Sequence, residues 1–309
     1  VSKKDRSVFP PLPDPLPVSV IDNHTHVGTD REGQEQKVND QGKKKYPLLI
    51  EGQREAMAHS GIKHAITVGC EVPDLKDVIE LASTVKEFSA AIAIHPNEAA
   101  LHAGVREIAP DGLEPNVLDH HRDYDLDAAV ALVAELATSE HVVAIGETGL
   151  DYFRTGDEGK GAQQESFRAH IALAKELSLP LQIHDRDAHE DTVRILLEEG
   201  APERTVFHCF SGDRELAGIL NENGWYASFA GTVTFPKNEY LREALMEMRE
   251  ELILVETDAP YLTPHPHRGK PNAPYLANLT VRAMATNKGV ALDTFCERLL
   301  SNANGVYFP

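Results

Sequence analysis

The chain has 309 residues, 41% hydrophobic and 26% charged, which allows one large core and excludes an intrinsically disordered polymer. A formal net charge of −19 argues against a long basic groove for duplex nucleic acid, and no stretch is apolar for long enough to span a bilayer. Cys70, Cys209 and Cys296 are too few and too far apart for a disulfide framework or a zinc knuckle, so a reducing, cytoplasmic location is expected.

Residues 1–17 carry Lys3, Lys4 and a proline-rich run from Pro10 to Pro17, without the apolar centre of a signal peptide. They read as a flexible arm ahead of a single domain over 18–309. Val18 to Ile21 is an apolar run that reads as a strand, followed by a polar, charged stretch, 28–45, expected to be a mobile loop. Further apolar runs follow at Ala65–Val68, Ala90–Ile94, His141–Gly146, Leu179–Ile183, Thr205–Phe207, Trp225–Phe229 and Leu252–Val255. Continuous Val/Ile/Leu runs are the mark of parallel strands buried on both faces. Helical stripes lie between them: Leu126, Val130, Val133, Leu136 and Ala137 in one segment, Phe167, Ile171, Ala174 and Leu177 in another, and a third over 191–197. Strands alternating with helices in this order predict an α/β fold, a TIM-like (β/α)8 barrel, and there is no internal repeat.

The first strand runs into Asp22-Asn23-His24-Thr25-His26. Alternate side chains of a strand share a face, so Asp22, His24 and His26 are expected to project together. Imidazole nitrogen and carboxylate oxygen are ligands for divalent metals. The event recurs: Glu147, His184, His208 and Asp258 each stand at the end of a later apolar run. Singly, each has a plainer reading, a strand-end histidine held by hydrogen bonds or a carboxylate capping the next helix. Jointly they fall at the barrel end where all strand C-termini meet and catalytic groups sit, so a shared metal centre is expected. Cys209, next to His208, is expected to point the other way and pack. Ser211 reads equally as a cap of the helix after His208 or as part of an anion-binding helix start. Glu256 shares a strand face with Asp258 and is expected to orient a ligand or a water.

Five segments, Asp22–His26, Ile145–Tyr152, Ile183–Asp187, His208–Gly212 and Glu256–Leu262, resemble the motifs of the TatD family of metal-dependent deoxyribonucleases, within the amidohydrolase superfamily. The resemblance runs from about Val20 to the C-terminus. It implies a metallo-dependent hydrolase barrel, two divalent metal ions and phosphodiester hydrolysis. It further implies that His24, His26 and Asp258 hold a first metal, that His184 and His208 hold a second, and that Glu147 bridges the two. His95 and Arg186 match residues near the substrate, and the planar guanidinium of Arg186 suits a phosphate. The ligand set suits magnesium, zinc or manganese. Two features depart from the family pattern. Ala273 stands where its Arg-Gly-x-x-Asn-Glu-Pro segment has glutamate, and 28–47 and 98–123 are longer than its minimum.

The expected reaction is attack by an activated water, with Asp258 taking its proton. Acidity and the lack of a basic track limit the expected substrate to a single-stranded DNA end or short oligonucleotide. Arg186, Arg268 and Lys270 are the basic groups expected to assist, and the resemblance implies work from a 3′ terminus. No obligate protein partner is expected. Two alternatives stay open: hydrolysis of another ester or amide, such as D-aminoacyl-tRNA, and a non-catalytic metal-dependent binding protein, against which the presence of Asp258 argues. Small-molecule amidohydrolases often bridge their metals with a carboxylated lysine, and Glu147 in that place favours the TatD reading.

Overall fold

The computed structural model describes residues 6–30, 34–39 and 41–309. Eight strands, β1 (Val20–Thr25), β2 (Ile62–Gly69), β3 (Phe88–Ile92), β4 (Val142–Asp151), β5 (Leu181–Arg186), β6 (Thr205–Phe207), β7 (Tyr226–Phe229) and β8 (Ile253–Val255), follow one another around a single parallel sheet. Helices run between them, so the fold is the (β/α)8 barrel that the run pattern predicts. Past the ends of β1 and β8 the ring is joined by backbone bonds: Asp258 N–H donates to the His24 carbonyl at 2.9 Å, and His26 N–H to that of Ala259 at 2.7 Å. The loop after β8 is thereby fastened to the end of β1, which brings Asp258 beside His24 and His26.

Two apolar layers hold the barrel. Ile21, Ile66, Ala91, Ala144, Val206 and Leu254 fill its interior with Val306 and Tyr307 of the C-terminal helix Leu292–Tyr307. Phe88, Ile145, Ile183 and Phe229 pack outward against helical residues such as Phe167 and Ile171 of the helix Asp157–Leu177. Small residues let β4 and β5 approach closely. A side chain at Gly146 would run into Gln182, and one at Gly149, at φ +139°, would run into the His184 carbonyl.

Two local expectations need revision. The arm read as flexible is fastened from Val8 onward: Val8 and Leu16 are buried, and Tyr275, Asn278 and Arg282 donate side-chain hydrogen bonds to the carbonyls of Pro10, Asp14 and Pro15. Its first five residues lie outside those described. The loop read as mobile is organised about Gln36, whose amide donates to the carbonyls of Lys45 and Pro47 and accepts from Leu49 N–H; residues 31–33 and 40 of this loop lie outside the described set. Where the family pattern has glutamate, Ala273 is buried in an apolar cluster with Leu48, Tyr275 and Leu276. No helix among the described residues is long and apolar enough to cross a membrane.

Candidate metal centre

The C-terminal mouth of the barrel gathers His24, His26, Glu147, His184, His208 and Asp258 around one carboxylate. Glu147, 4% exposed on β4, lies at the middle. Its Oε1 is 3.4 Å from His26 Nε2 and 3.8 Å from His24 Nε2. Its Oε2 is 2.7 Å from His208 Nε2, 2.9 Å from His184 Nδ1 and 3.9 Å from His95 Nε2. Asp258 Oδ1 is 3.4 Å from His26 Nε2. Asp258 adopts φ +51°, a left-handed conformation that aspartate tolerates better than most residues.

Hydrogen bonds behind the imidazoles decide which nitrogen each presents. His24 Nδ1 faces the Gln182 side-chain oxygen at 3.0 Å, His26 Nδ1 faces the Val68 carbonyl at 3.2 Å, and His208 Nδ1 faces Glu256 Oε1 at 3.2 Å. Each back partner is an acceptor, so Nδ1 keeps a proton and Nε2 is the nitrogen turned to the mouth, where a metal ion can take the place of a proton. His24 Nε2 is buried and, among the described residues, has no hydrogen-bond partner. A buried nitrogen left unsatisfied in this way is costly unless something binds it. Together with the mixed nitrogen and oxygen donors, it fits a divalent metal ion. Among the described residues, four groups in the mouth have donor atoms within 4.8 Å of one another: His24 with His26 and Asp258, His24 with Glu147 and His208, His95 with Glu147 and His184, and His26 with Cys70 and Glu147.

His95 differs from these. Its Nδ1 accepts the N–H of Asn97 at 3.1 Å, so its Nε2 carries the proton. Burial and neighbouring His184 push its imidazole down to about 4. His95 is therefore a neutral donor facing Glu147 and the cavity, suited to a substrate oxygen better than to a metal.

Several site expectations change with the structure. β1 is irregular between Asp22 and Thr25, so strict alternation fails. The Asp22 carboxylate accepts Thr257 N–H at 2.8 Å and Thr257 Oγ1–H at 2.5 Å, which steadies the loop carrying Asp258. Glu256, fully buried, accepts Cys209 N–H at 2.8 Å and Ser228 Oγ–H at 2.5 Å besides facing His208. Cys209 lines the mouth instead of packing away from it, because β6 ends at Phe207 and Cys209 sits at φ +42°. Burial, with Asp258 and Glu256 nearby, pushes its thiol up, so it stays protonated. Asp213 caps the helix Arg214–Asn223, accepting from Glu215 and Leu216 N–H, so Ser211 is neither its cap nor at an open helix start. The Ser211 hydroxyl donates to the Asp185 carbonyl. Arg186 lies over the Phe153 ring, 3.8 Å from its centroid, and lines the mouth. Arg268 stacks on Phe235, and neither it nor Lys270 lines the mouth cavity. Asp151, not singled out from sequence, stands 3.2 Å from His184 Nε2. Its spacing of four from Glu147 on one strand was the available signal.

The charge balance carries a pH signature. Burial works to lower the imidazoles of His26 and His184. The Asp258 hydrogen bond and the Glu147 charge outweigh it at His26, and Asp151 and Glu147 outweigh it at His184, so each rises to about 9. Burial opposes ionisation of Glu147, yet His208, His95 and His184 hold its carboxyl well below the usual range. Without metal, protons supply the positive charge that the carboxylates demand. A folded-state imidazole raised above 6.5 stabilises the fold fully below that pH and ceases to do so as pH rises through about 9. Chelator-treated protein is therefore expected to lose thermal stability between pH 6.5 and 9, while metal-loaded protein, whose ions displace these protons, keeps it. Matching melting profiles for the two forms would contradict the assignment.

The sequence profile of the family described as TatD related DNase matches residues 21–308. The chain is 39% identical over 235 residues to an uncharacterized metal-dependent hydrolase, TatD, of Mycobacterium tuberculosis, covering 75% of this chain and 80% of that one. It is 32% identical over 289 residues to the uncharacterized metal-dependent hydrolase YabD of Bacillus subtilis, covering 93% and 98%. The crystal structure of YJJV, a TatD homologue of Escherichia coli, superposes with a TM-score of 0.71 at 24% identity, covering 83% of this chain and 91% of that one, and so shares the fold.

Proposed function

The chain belongs to the family of TatD related DNases, a family of metal-dependent hydrolases, and from that membership and the layout of the mouth we propose that it hydrolyses phosphodiester bonds of DNA, working from the 3′ end of single strands with two divalent ions. The observation that carries this reading is the division of Glu147 between two ligand sets, Oε1 toward His24 and His26, Oε2 toward His184 and His208. In the proposal His24, His26 and Asp258 would hold one ion and His184 and His208 the other, with Glu147 turned toward both ligand sets. Bound divalent ions supply an acidified water and neutralise charge on the phosphoryl oxygens.

The remaining work falls to side chains. Burial tends to raise the Asp258 carboxyl, but His26 holds it below the usual carboxylate range, so it is ionised at neutral pH and placed to accept the proton of the attacking water. His95 donates its Nε2–H to a phosphoryl oxygen. The guanidinium face of Arg186 is held by Phe153, which leaves its N–H edge for a phosphate. Tyr261, 63% exposed on the rim, offers a ring on which a base can stack. The cavity is about 610 Å³, the scale of a small ligand. With a chain charge of −19, this supports recognition of a short single-stranded end.

The test presents the metal-loaded protein with a linear single strand and a closed circle of the same sequence. Linear DNA is expected to be degraded and the circle spared, with a mild salt dependence because few phosphates are contacted. Arg186→Ala is expected to raise KM or lower kcat on the linear strand without loss of bound metal. Equal cleavage of circle and strand would make the protein an endonuclease. Cleavage of neither, with rapid hydrolysis of D-aminoacyl-tRNA, would move the function to an ester, and no turnover of either class would leave a binding protein.

A further inference from the structure

The long segment between β3 and β4 carries a second knot of imidazoles that the mouth does not use. The helix Pro96–His102 places Glu98 and His102 four residues apart, on one face. The short helix His120–Asp123 brings up His120 and His121. One donor atom of each of these four residues lies within 4.8 Å of the other three. Glu98 Oε2 is 3.1 Å from His120 Nε2 and 2.7 Å from His121 Nε2. The rings crowd together, with centroids 3.9 Å apart for His120 and His121 and 4.9 Å for His102 and His121.

Pairing with Glu98 accounts for two of the three imidazoles and leaves the third unexplained. His102 is 4% exposed, and its Nδ1–H donates to the Tyr124 carbonyl at 2.8 Å. Its Nε2 is buried and, among the described residues, has no hydrogen-bond partner. The ring thus presents a bare lone pair, backed by a carbonyl, which is how a metal-ligating histidine is held. We propose that Glu98, His102 and His120 bind a divalent metal ion of the zinc class at the rim of the barrel, separate from the mouth.

The tautomers divide the roles. His121 Nδ1 accepts Leu118 N–H at 2.9 Å, so its proton is on Nε2 and is donated to Glu98. His121 therefore has no lone pair for the ion and acts as a positioning residue that orients the carboxylate. Two imidazole nitrogens and one carboxylate oxygen make a three-ligand zinc set, with the fourth position left for water. Such an ion would tie the helix that begins beside His95 to the segment 118–123, closing the long rim loop between them.

The experiment counts metal on the full-length protein after chelation and reloading with zinc. Glu147→Gln is expected to leave the mouth with at most one weakly held ion and still retain one tightly held zinc equivalent, which separates this site from the reading of the mouth. Adding His102→Gln or Glu98→Gln is expected to remove that equivalent. His121→Asn is expected to keep the stoichiometry and weaken affinity by about 10–100-fold, as loss of an outer-shell partner does. Cobalt in place of zinc gives a second readout, a visible absorption band in the Glu147→Gln chain that His102→Gln abolishes. Because the cobalt band is read on a chain with an intact rim, it holds even where a rim substitution disturbs folding. No retained zinc and no cobalt band in the Glu147→Gln chain, or undiminished zinc after His102→Gln and Glu98→Gln, would overturn the proposal and leave an ion-paired knot of side chains.

Discussion

Asp258→Asn is expected to lower turnover on linear single-stranded DNA by about 10²–10⁴-fold, the usual worth of a general base, with little change in fold or substrate affinity. Asparagine keeps the volume, one coordinating oxygen and the tolerance for the left-handed backbone at φ +51°. What it loses is the ability to accept a proton. Asp258 Oδ1 lies 3.4 Å from His26 Nε2, and that imidazole keeps the carboxylate ionised against the opposing effect of burial. The variant's rate is therefore expected to lose the acid limb that the ionised carboxylate gives the native enzyme. Single-turnover rates across pH, on protein with its metal content measured, make the comparison. Near-normal turnover would assign the base elsewhere. Glu256, the next acid beyond β8, is a poor substitute because Cys209 N–H and Ser228 Oγ–H already occupy its oxygens. Asp151, lining the mouth 3.2 Å from His184 Nε2, would be examined first.

The sequence makes the barrel and its ring of donors legible for one physical reason. A buried parallel strand is a run of Val, Ile, Leu and Ala, and ionisable residues that close such a run lie toward the C-terminal end of the strand or just beyond it, as Glu147 and His184 do within β4 and β5 and His208 and Asp258 do past β6 and β8. Glu147, His184, His208 and Asp258 all follow such runs, so their convergence follows from the fold. What surrounds them depends on tertiary contacts that have no period. Gln182 on β5 holds His24 on β1, and Glu256 beyond β8 holds His208 beyond β6. Alternation misleads where strands break regularity: the irregularity after Asp22 turns its carboxylate to Thr257, and the left-handed backbone at Cys209 turns that residue to the mouth. The fastened arm was hidden for a similar reason, since its partners Tyr275, Asn278 and Arg282 lie more than 250 residues away. In the long rim segment, Glu98, His102, His120 and His121 follow no strand run, and only the fold brings the two short helices together.

Glu147→Gln is expected to have the largest effect on the metal centre, costing the mouth more than the about 10–100-fold in affinity that an outer-shell loss costs, with turnover falling alongside. The argument rests on the two oxygens of one side chain. Oε1 faces His26 and His24 at 3.4 and 3.8 Å, and Oε2 faces His208 and His184 at 2.7 and 2.9 Å. An amide has a single acceptor oxygen. Whichever way it turns, its N–H2 points at imidazole nitrogens on the other side, so it can serve one ligand set only. The buried negative charge is also lost. Glu147 is a leading cause of the raised imidazoles of His208 and His184, once burial has been overcome, so both should release their protons at lower pH in the variant. The pH dependence of melting in the metal-free protein is then expected to flatten, a readout independent of activity. Ion counts are best made in the His102→Gln background, where the rim is silent. There the native mouth should bind two ions and Glu147→Gln at most one, weakly. Two ions held with native affinity, together with native turnover, would show that Glu147 is not shared and would remove the basis for a paired metal centre.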